Sequence, residues 1–288
     1  MKKYLVFTTL LLSSFSNVFS CGYSPYGEDI RYSLFLPDYF KYSDFMAFNY
    51  NTQLFGFDYE YQNQYESNVD DWYNFVQKNV PVEDINECLN TLKLTDITSN
   101  SQNKFLQYLY KNKLNNVIQY LIIAKQCEDV NNFEYDDPWE RGETKRVDIT
   151  PFFNKLQQLI DKEKSNYLKR KYAFLTIRTA YYNGNPKLIN TLFEKHFAQG
   201  KKDYLYYWAL YFNAFQNENA SVDIANIMAY SPEKKYAAYY YFHNQFNLEN
   251  ALAHAKSNQE IANIYAYASV QRIEPNLDYL KNIYQNSN

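Results

Sequence analysis

Histidines, cysteines and adjacent carboxylates are the side chains of this 288-residue chain whose types could do chemistry. The three histidines, His196, His243 and His254, form no His-Glu-x-x-His pair, and no Cys-x-x-Cys accompanies them. A zinc site would have to be gathered from scattered residues. His196 lies near a predicted helix C-terminus, where a cation complements the last carbonyls. Asp70 with Asp71, and Asp136 with Asp137, offer the two carboxylates that glycoside hydrolysis needs. Neighbours on a helix point about 100° apart, however, so Asp70 and Asp71 are read as an acidic first turn that opposes the helix dipole favourably. There is no G-x-S-x-G elbow and no phosphate-binding glycine loop, and six glycines leave little room to hide a variant of either. The chain reads as non-enzymatic, with no cofactor and no metal.

Two charged stretches remain. In "YDDPWERGETKR" the indole of Trp139 is framed by Asp136, Asp137, Glu140, Arg141 and Arg146, and a Trp so framed is a common anchor for a partner. The competing reading packs Trp139 on neighbouring helices and leaves the charges to solvent. Lys169, Arg170 and Lys171 form a short basic run that either faces an anionic surface or is a solvated helix face.

The elements that must position these residues follow an export signal. Lys2 and Lys3 precede the apolar run Tyr4 to Leu12 and the polar Ser13, Ser14, Ser16 and Asn17, the three parts of a signal peptide over residues 1–20. The apolar run is too short to span a bilayer. "VFSCG" then places Cys21 directly after the expected cut. It resembles the lipobox of bacterial lipoproteins, which implies lipidation of Cys21, with Phe19 where a smaller residue is usual. Simple secretion into the periplasm or beyond is the alternative. Export puts Cys88 and Cys127 where a disulfide can persist, and they either pair or stay buried as thiols, since pairing needs Cα atoms within about 7 Å.

With 29 basic and 32 acidic side chains there is no basic excess for phosphate, so nucleic acid is not expected as a partner. Six Gly and eight Pro are too few for many short strands and turns, which argues for an all-α fold. The 32 tyrosines accompany abundant Asn, Lys and Ile, residues that AT-rich codons specify. The remaining aromatic load suits amphipathic helices, in which a Tyr ring packs while its hydroxyl stays wet.

Residues 21–66 show turn residues among aromatics without a clean period and read as irregular. From residue 67 to 129 the pattern is that of helical hairpins. Val69, Trp72, Tyr73 and Val76 recur at spacings of three and four, Pro81 opens a helix with Ile85, Leu89 and Leu92, and a second pair carries Phe105, Leu106, Leu109 and then Val117, Ile118, Leu121 and Ile122. The continuous apolar run Leu121 to Ala124 marks a central helix. Residues 130–148 break the pattern as a charged surface loop. Thr150 and Pro151 give an N-cap and first turn to a helix with Phe153, Leu156, Leu159 and Ile160 inward. In "YLKRKYAFLTIRTAYYNGNPKLINTLFEKHF" Phe174, Ile177, Thr179, Ala180 and Tyr181 line one helix, Leu188, Ile189, Leu192, Phe193 and Phe197 the next, and "NGNP" turns between them. Ser257 with Glu260 makes a capping box, and Leu277, Leu280, Ile283 and Tyr284 form one face of a last helix.

The hairpin recurs 34 residues on: Phe174, Ile177 and Tyr181 answer to Trp208, Tyr211 and Phe215, and Ile189 and Phe193 to Ile224 and Met228. These residues resemble the tetratricopeptide family, which implies an α-solenoid of stacked helical hairpins over residues 149–288. Arg178, Phe212, Ile189 and Ile224 stand where that family has small residues, so the expectation is tetratricopeptide-like, with helices further apart. The exported "CG", aromatic lead and hairpins also resemble a group of bacterial envelope lipoproteins without an assigned activity, which implies location and architecture. Leu280 and Tyr284 are expected to meet a neighbour, either a partner or further chain, since solenoids need caps.

The function expected is a non-enzymatic protein-protein interaction or scaffold module of the bacterial envelope, at the outer membrane and touching it only through the lipid on Cys21. Its partner would be another protein or envelope component. The alternative is a carbohydrate-binding surface lipoprotein that stacks exposed Tyr and Trp on a polysaccharide, similar to the glycan-capture lipoproteins of bacterial outer membranes.

Overall fold

Several helices in this chain begin where an Asn, Ser or Asp side chain supplies an acceptor that the first turn lacks. The leading amides of a helix have no intrahelical partner, and a cap that supplies one is worth about 1 kcal/mol. Asn103 Oδ1 accepts from the amides of Phe105 and Leu106 at 3.1 Å each. Asn185 serves Leu188 at 3.3 Å, Asp203 serves Tyr206 at 3.1 Å, and Asn247 serves Asn250 at 2.9 Å. Asn276 serves both Asp278 and Tyr279, at 3.0 and 3.2 Å. Part of the asparagine that codon bias explains is thereby used to start helices.

The computed structural model describes residues 67–131, 148–217, 220–242, 245–270 and 276–287. The chain divides into two units, Met1–Asp58 and Tyr59–Asn288, and these residues belong to the second. Residues 1–66, with Cys21 among them, and nearly all of residues 130–148 lie outside the described residues. Among the described residues the chain is all-α, with 13 helices and no strand. They are α1 Ser67–Phe75, α2 Val82–Asn90, α3 Lys104–Lys111, α4 Asn115–Asn131, α5 Thr150–Lys162, α6 Asn166–Tyr182 and α7 Pro186–His196, then α8 Tyr204–Ala214, α9 Ser221–Tyr230, α10 Lys235–Phe242, α11 Leu248–His254, α12 Asn258–Val270 and α13 Leu277–Asn286. None of them is long and apolar enough to cross a membrane.

Most helices pack on their neighbours in sequence, α1 on α2, α2 on α3, α3 on α4, α6 on α7 and α12 on α13. α6 and α9 have more neighbours: α4, α5, α7 and α8 all lie against α6, and α8, α10, α11 and α12 against α9. The inner seam expected of α6 is exceeded: Leu168, Lys171, Tyr172, Ala173, Leu175 and Thr176 are buried as well as Phe174, Ile177, Thr179 and Ala180. A helix buried on most sides belongs inside a core, so α6 is central beside α4, whose Leu121 and Ile123 are also buried. One continuous apolar cluster runs from Val69 and Trp72 in α1 to Tyr267 in α12.

The "NGNP" turn holds Gly184 at φ +69°, a left-handed position that favours glycine. Asn185 then caps α7 and Pro186 is its first residue. Residues 34 apart in the chain meet side by side: the rings of Phe174 and Trp208 lie 5.7 Å apart, those of Tyr181 and Phe215 4.9 Å. Phe212 is used in the same contact, 6.1 Å from Phe174 and 5.1 Å from Tyr181. Its bulk fills the space between α6 and α8.

Two local expectations need correction. Thr150 is the first residue of α5 rather than its cap; Ile149 holds the cap position, and Asp148 Oδ1 accepts from the Thr150 amide at 2.9 Å. Pro81 likewise sits at the cap of α2, one residue before its first turn. On α13, Leu277, Leu280 and Tyr284 are 78%, 51% and 85% exposed, so no described element covers the face at which a neighbour is expected. The helix rests on α12 through Tyr279, whose ring is 5.4 Å from that of Tyr265. Ser257 and Glu260 do cap α12: Ser257 Oγ accepts from the Glu260 amide at 3.2 Å, and Glu260 Oε2 from the Lys256 amide at 2.7 Å.

Candidate functional site

The basic run expected to be a solvated or surface-seeking face is the densest polar site in the structure. Lys171 of α6 is only 2% exposed at its side chain, and its ammonium meets three acceptors. They are Asp71 Oδ2 at 2.8 Å, Asn68 Oδ1 at 3.0 Å and Tyr204 Oη at 2.7 Å. Tyr204 Oη lies between the other two acceptors, 3.1 Å from Asp71 Oδ2 and 3.2 Å from Asn68 Oδ1, so the three gather on one side of the ammonium. Two ring faces cover the same nitrogen, with centroids of Trp72 and Tyr167 at 4.6 and 5.0 Å, while Tyr204 meets it edge-on through its hydroxyl. Asn68, Asp71 and Trp72 come from α1, Tyr167 from α6 and Tyr204 from α8. Helix geometry makes this possible, because positions 68, 71 and 72 fall on one side of α1, and 167 and 171 are one turn apart on α6.

The hydroxyl of Tyr167 donates to Asp71 Oδ2 at 2.8 Å. That of Tyr204 has one proton and two acceptors in reach, Asp71 Oδ2 at 3.1 Å and Asn68 Oδ1 at 3.2 Å. Burial pushes the Lys171 ammonium down to about 8, against the pull of the Asp71 carboxylate. Burial, with Asp71 adding to it, moves both phenols well above the usual tyrosine range. At neutral pH the set is an ammonium, a carboxylate and two neutral phenols. Every strong donor in it has a partner inside the fold, which leaves the set fit for joining three helices.

The flanking contacts are of the same kind. Arg170 forms a two-pronged pair with Asp203, at 2.7 and 2.9 Å, donates to the Lys201 carbonyl at 3.1 Å and lies over the Phe197 ring at 5.3 Å. Burial raises the Asp203 carboxyl, but the hydrogen bonds from Arg170 and the Tyr206 amide outweigh it and hold the group below the carboxylate range. Ser67, the first residue of α1, donates from its amide to Glu233 Oε1 at 2.9 Å and from its hydroxyl to the same oxygen. Lys125, 5% exposed, donates to the Leu89 carbonyl at 2.8 Å and pairs with Glu128 at 3.2 Å.

Of the residues that the sequence singles out, Asp70 is exposed while Asp71 turns inward to Lys171, so the two carboxylates do not form a pair. His196 is not the helix-end cation expected: burial and the charges of Lys195 and Lys169 hold its pKa below the ordinary imidazole value. His254 Nδ1 lies 2.8 Å from the Asn250 carbonyl. Cys88 and Cys127 are buried free thiols. Burial pushes them up to about 12 and about 11, so neither supplies a thiolate at neutral pH. Cys21, Asp136, Asp137, Trp139, Arg141 and His243 lie outside the described residues. Among the described residues no group of His, Cys, Asp and Glu could hold a metal ion.

The Lys171 cluster escaped sequence reasoning because a basic triplet reads as a solvated face. Tyr167, Leu168, Phe174 and Leu175 occupy every position three and four residues away from Lys171, but Phe174, Leu175, Tyr181 and Tyr182 ring Arg178 in the same way and leave it half-buried, so local spacing does not mark a buried cation.

A polar cleft of about 390 Å³ lies elsewhere, lined by Glu87, Leu92, Asp96, Ser101 and Asn103 among others. Asn103 is spent there on capping α3 and on donating to the Asp84 carbonyl and Glu87 Oε2, both at 2.8 Å. Asp223 of α9 is perturbed in the opposite direction to Asp203. Burial pushes it up to about 6, with Glu260 across on α12 adding to the shift and Asn217, Lys256 and Lys202 opposing it. A raised folded-state pKa means that the ionised form costs stability in full above pH 6, and that this cost fades as pH falls from 6 towards 3.8. Asp223→Asn is therefore expected to raise stability at pH 7.5 by ~1–2 kcal/mol and to leave it unchanged near pH 4. Urea unfolding at both values checks this; an equal gain at both would mean that ionisation is not the cause.

Fold and site together define an all-α protein whose strongest polar cluster is internal to its helix packing. No protein-family profile, curated protein or solved structure matches the chain.

Proposed function

We propose that the chain is a non-enzymatic interaction or scaffold module of the bacterial envelope, built as a tetratricopeptide-like stack of helical hairpins and held at the outer membrane by a lipid on Cys21. The observation that carries the reading is the contact of residues 34 apart, Phe174 with Trp208 and Tyr181 with Phe215. Stacking of equivalent positions is how helical repeats bury a shared core and leave an outer surface for binding. The chemistry-bearing groups among the described residues, Lys171, Asp71, Arg170 and Asp203, are occupied by one another.

Carbohydrate binding is the second reading, and three exposed rings favour it: Tyr182, Tyr230 and Tyr284, at 42%, 44% and 85% exposure. Both described tryptophans, Trp72 and Trp208, are buried and unavailable to a sugar. Two measurements test the proposal. Metabolic labelling with a lipid precursor is expected to mark the wild-type chain and not Cys21→Ala; equal labelling overturns the anchor. Purified chain is expected to bind a partner protein recovered from envelope extract in a direct titration and to ignore a panel of polysaccharides. A saturable response to one glycan, with no protein partner, replaces the first reading by the second.

A further inference from the structure

The groups around Lys171 hold one another as well as the lysine. Tyr167 donates to Asp71 at 2.8 Å, and Tyr204 reaches Asp71 at 3.1 Å and Asn68 at 3.2 Å. The Trp72 ring meets Tyr167 edge-on at 5.5 Å and 87°, and Phe75 stacks on the far face of the cage wall, 5.1 Å from Tyr167 at 9°. None of these contacts involves Lys171. The acceptors and ring faces therefore stay aimed at one point when the lysine is taken away, which is the preorganisation a binding site needs.

What that point is made for follows from its lining. The acceptors are a carboxylate, an amide oxygen and a phenol oxygen gathered on one side of the nitrogen, and they suit a ligand that can donate more than one proton there. The carboxylate supplies charge, and the faces of Trp72 and Tyr167, within about 6 Å, supply the quadrupole attraction that selects a cation over a neutral group. A neutral amide or alcohol would leave acceptors unanswered, and a quaternary ammonium would bring no protons.

We propose that Asn68, Asp71, Trp72, Tyr167 and Tyr204 form a receptor for a primary alkylammonium, which the chain keeps filled with its own Lys171. Because three receptor residues lie on α1 and one each on α6 and α8, the ligand also acts as a key: the receptor is complete only when α1 is seated on the other two helices. The buried ion pair is then a recognition event within one chain.

The test is made on the full chain. Lys171→Ala removes the ammonium and the three carbons that join it to Cβ, and is expected to lower Tm. Titration with n-propylammonium chloride is expected to restore about half of that loss or more, saturably, as a ligand specific to the folded state does. Three controls are expected to fail: 1-propanol, potassium chloride at the same ionic strength, and n-propylammonium on Lys171→Ala combined with Asp71→Asn. Wild type, already filled, is expected not to respond. Equal restoration by 1-propanol would reduce the site to an apolar void, and no response of folded Lys171→Ala to the amine would show that the receptor does not exist without its lysine. Either overturns the proposal. If Lys171→Ala does not fold, Lys171→Met keeps the stem and frees the ammonium position, and is read with ammonium against potassium chloride. A larger Tm rise with ammonium supports the receptor, and equal shifts overturn it.

Discussion

Trp72→Ala is expected to remove about 3–5 kcal/mol of folding stability, the range for deleting a fully buried large aromatic side chain. Trp72 is fully buried and lies at a junction of elements. Its ring contacts Phe75 of its own helix at 5.3 Å, Phe105 of α3 at 6.0 Å, Tyr120 of α4 at 5.6 Å and Tyr167 of α6 at 5.5 Å. The loss would thus combine the transfer free energy of the indole, a cavity that four aromatic walls cannot close, and one face of the cation site. Since domains are stable by only about 5–15 kcal/mol, the variant is expected to unfold at a much lower urea concentration. Trp72→Phe keeps a ring in place and is expected to lose less than half as much. A small change for both variants in urea titration would show that α1 is not integral to the core.

Asp71→Ala is expected to cost about 3 kcal/mol at pH 7, because breaking a buried pair leaves the surviving charge without its counter-charge. The survivor is Lys171, at 2% exposure, while Asp71 itself is 31% exposed and easily hydrated when the roles are reversed. The two deletions are therefore unequal in kind: Asp71→Ala strands a charge in the core, whereas Lys171→Met leaves one that water can reach. The pH dependence separates this from simple loss of packing. Burial already brings Lys171 down to about 8 with Asp71 present, and removing the carboxylate lowers it further. A lysine whose folded-state pKa lies below its unfolded value gains stability as pH rises through that interval, since the unfolded chain then binds more protons. The deficit of Asp71→Ala against wild type is expected to shrink as pH rises towards about 8, where Lys171 of the wild type also gives up its proton, and to stay level above it. A deficit independent of pH would assign the effect to lost hydrogen bonds of Tyr167 and Tyr204 instead.

The legible parts of this fold were those written in local spacing. Val69 with Trp72, Leu106 with Leu109, and Ile189 with Phe193 announce their helices by the three-and-four rule, and "NGNP" announces its turn through the backbone freedom of Gly184. The 34-residue correspondence of Phe174 with Trp208 was readable because it compares like with like. What failed were inferences that needed a partner far away in sequence. Lys171 reads as solvated because nothing near it in sequence says that Asp71 and Asn68 will arrive from 100 residues upstream. On α13 the period shows that Leu277, Leu280 and Tyr284 share a side, and not what lies opposite.

The separation of these contacts along the chain has a consequence in time. The joints between α6 and α8, Arg170 with Asp203 and Lys171 with Tyr204, close loops of 33 residues. Those of α1 close far larger ones, 103 residues for Asn68 with Lys171, 136 for Asn68 with Tyr204 and 166 for Ser67 with Glu233. Each doubling of a loop costs about 0.6 kcal/mol in closure entropy, and contacts distant in sequence form more slowly. The hairpins from α6 to α9 are thus expected to assemble first, with α1, although made earlier by the ribosome, docking last onto a surface that must already exist. Trp72 can meet Phe105 early, across 33 residues, but the side of α1 that carries Asn68 and Asp71 would spend the interval uncovered, and that interval is when this chain is most open to a chaperone, a protease or a wrong neighbour.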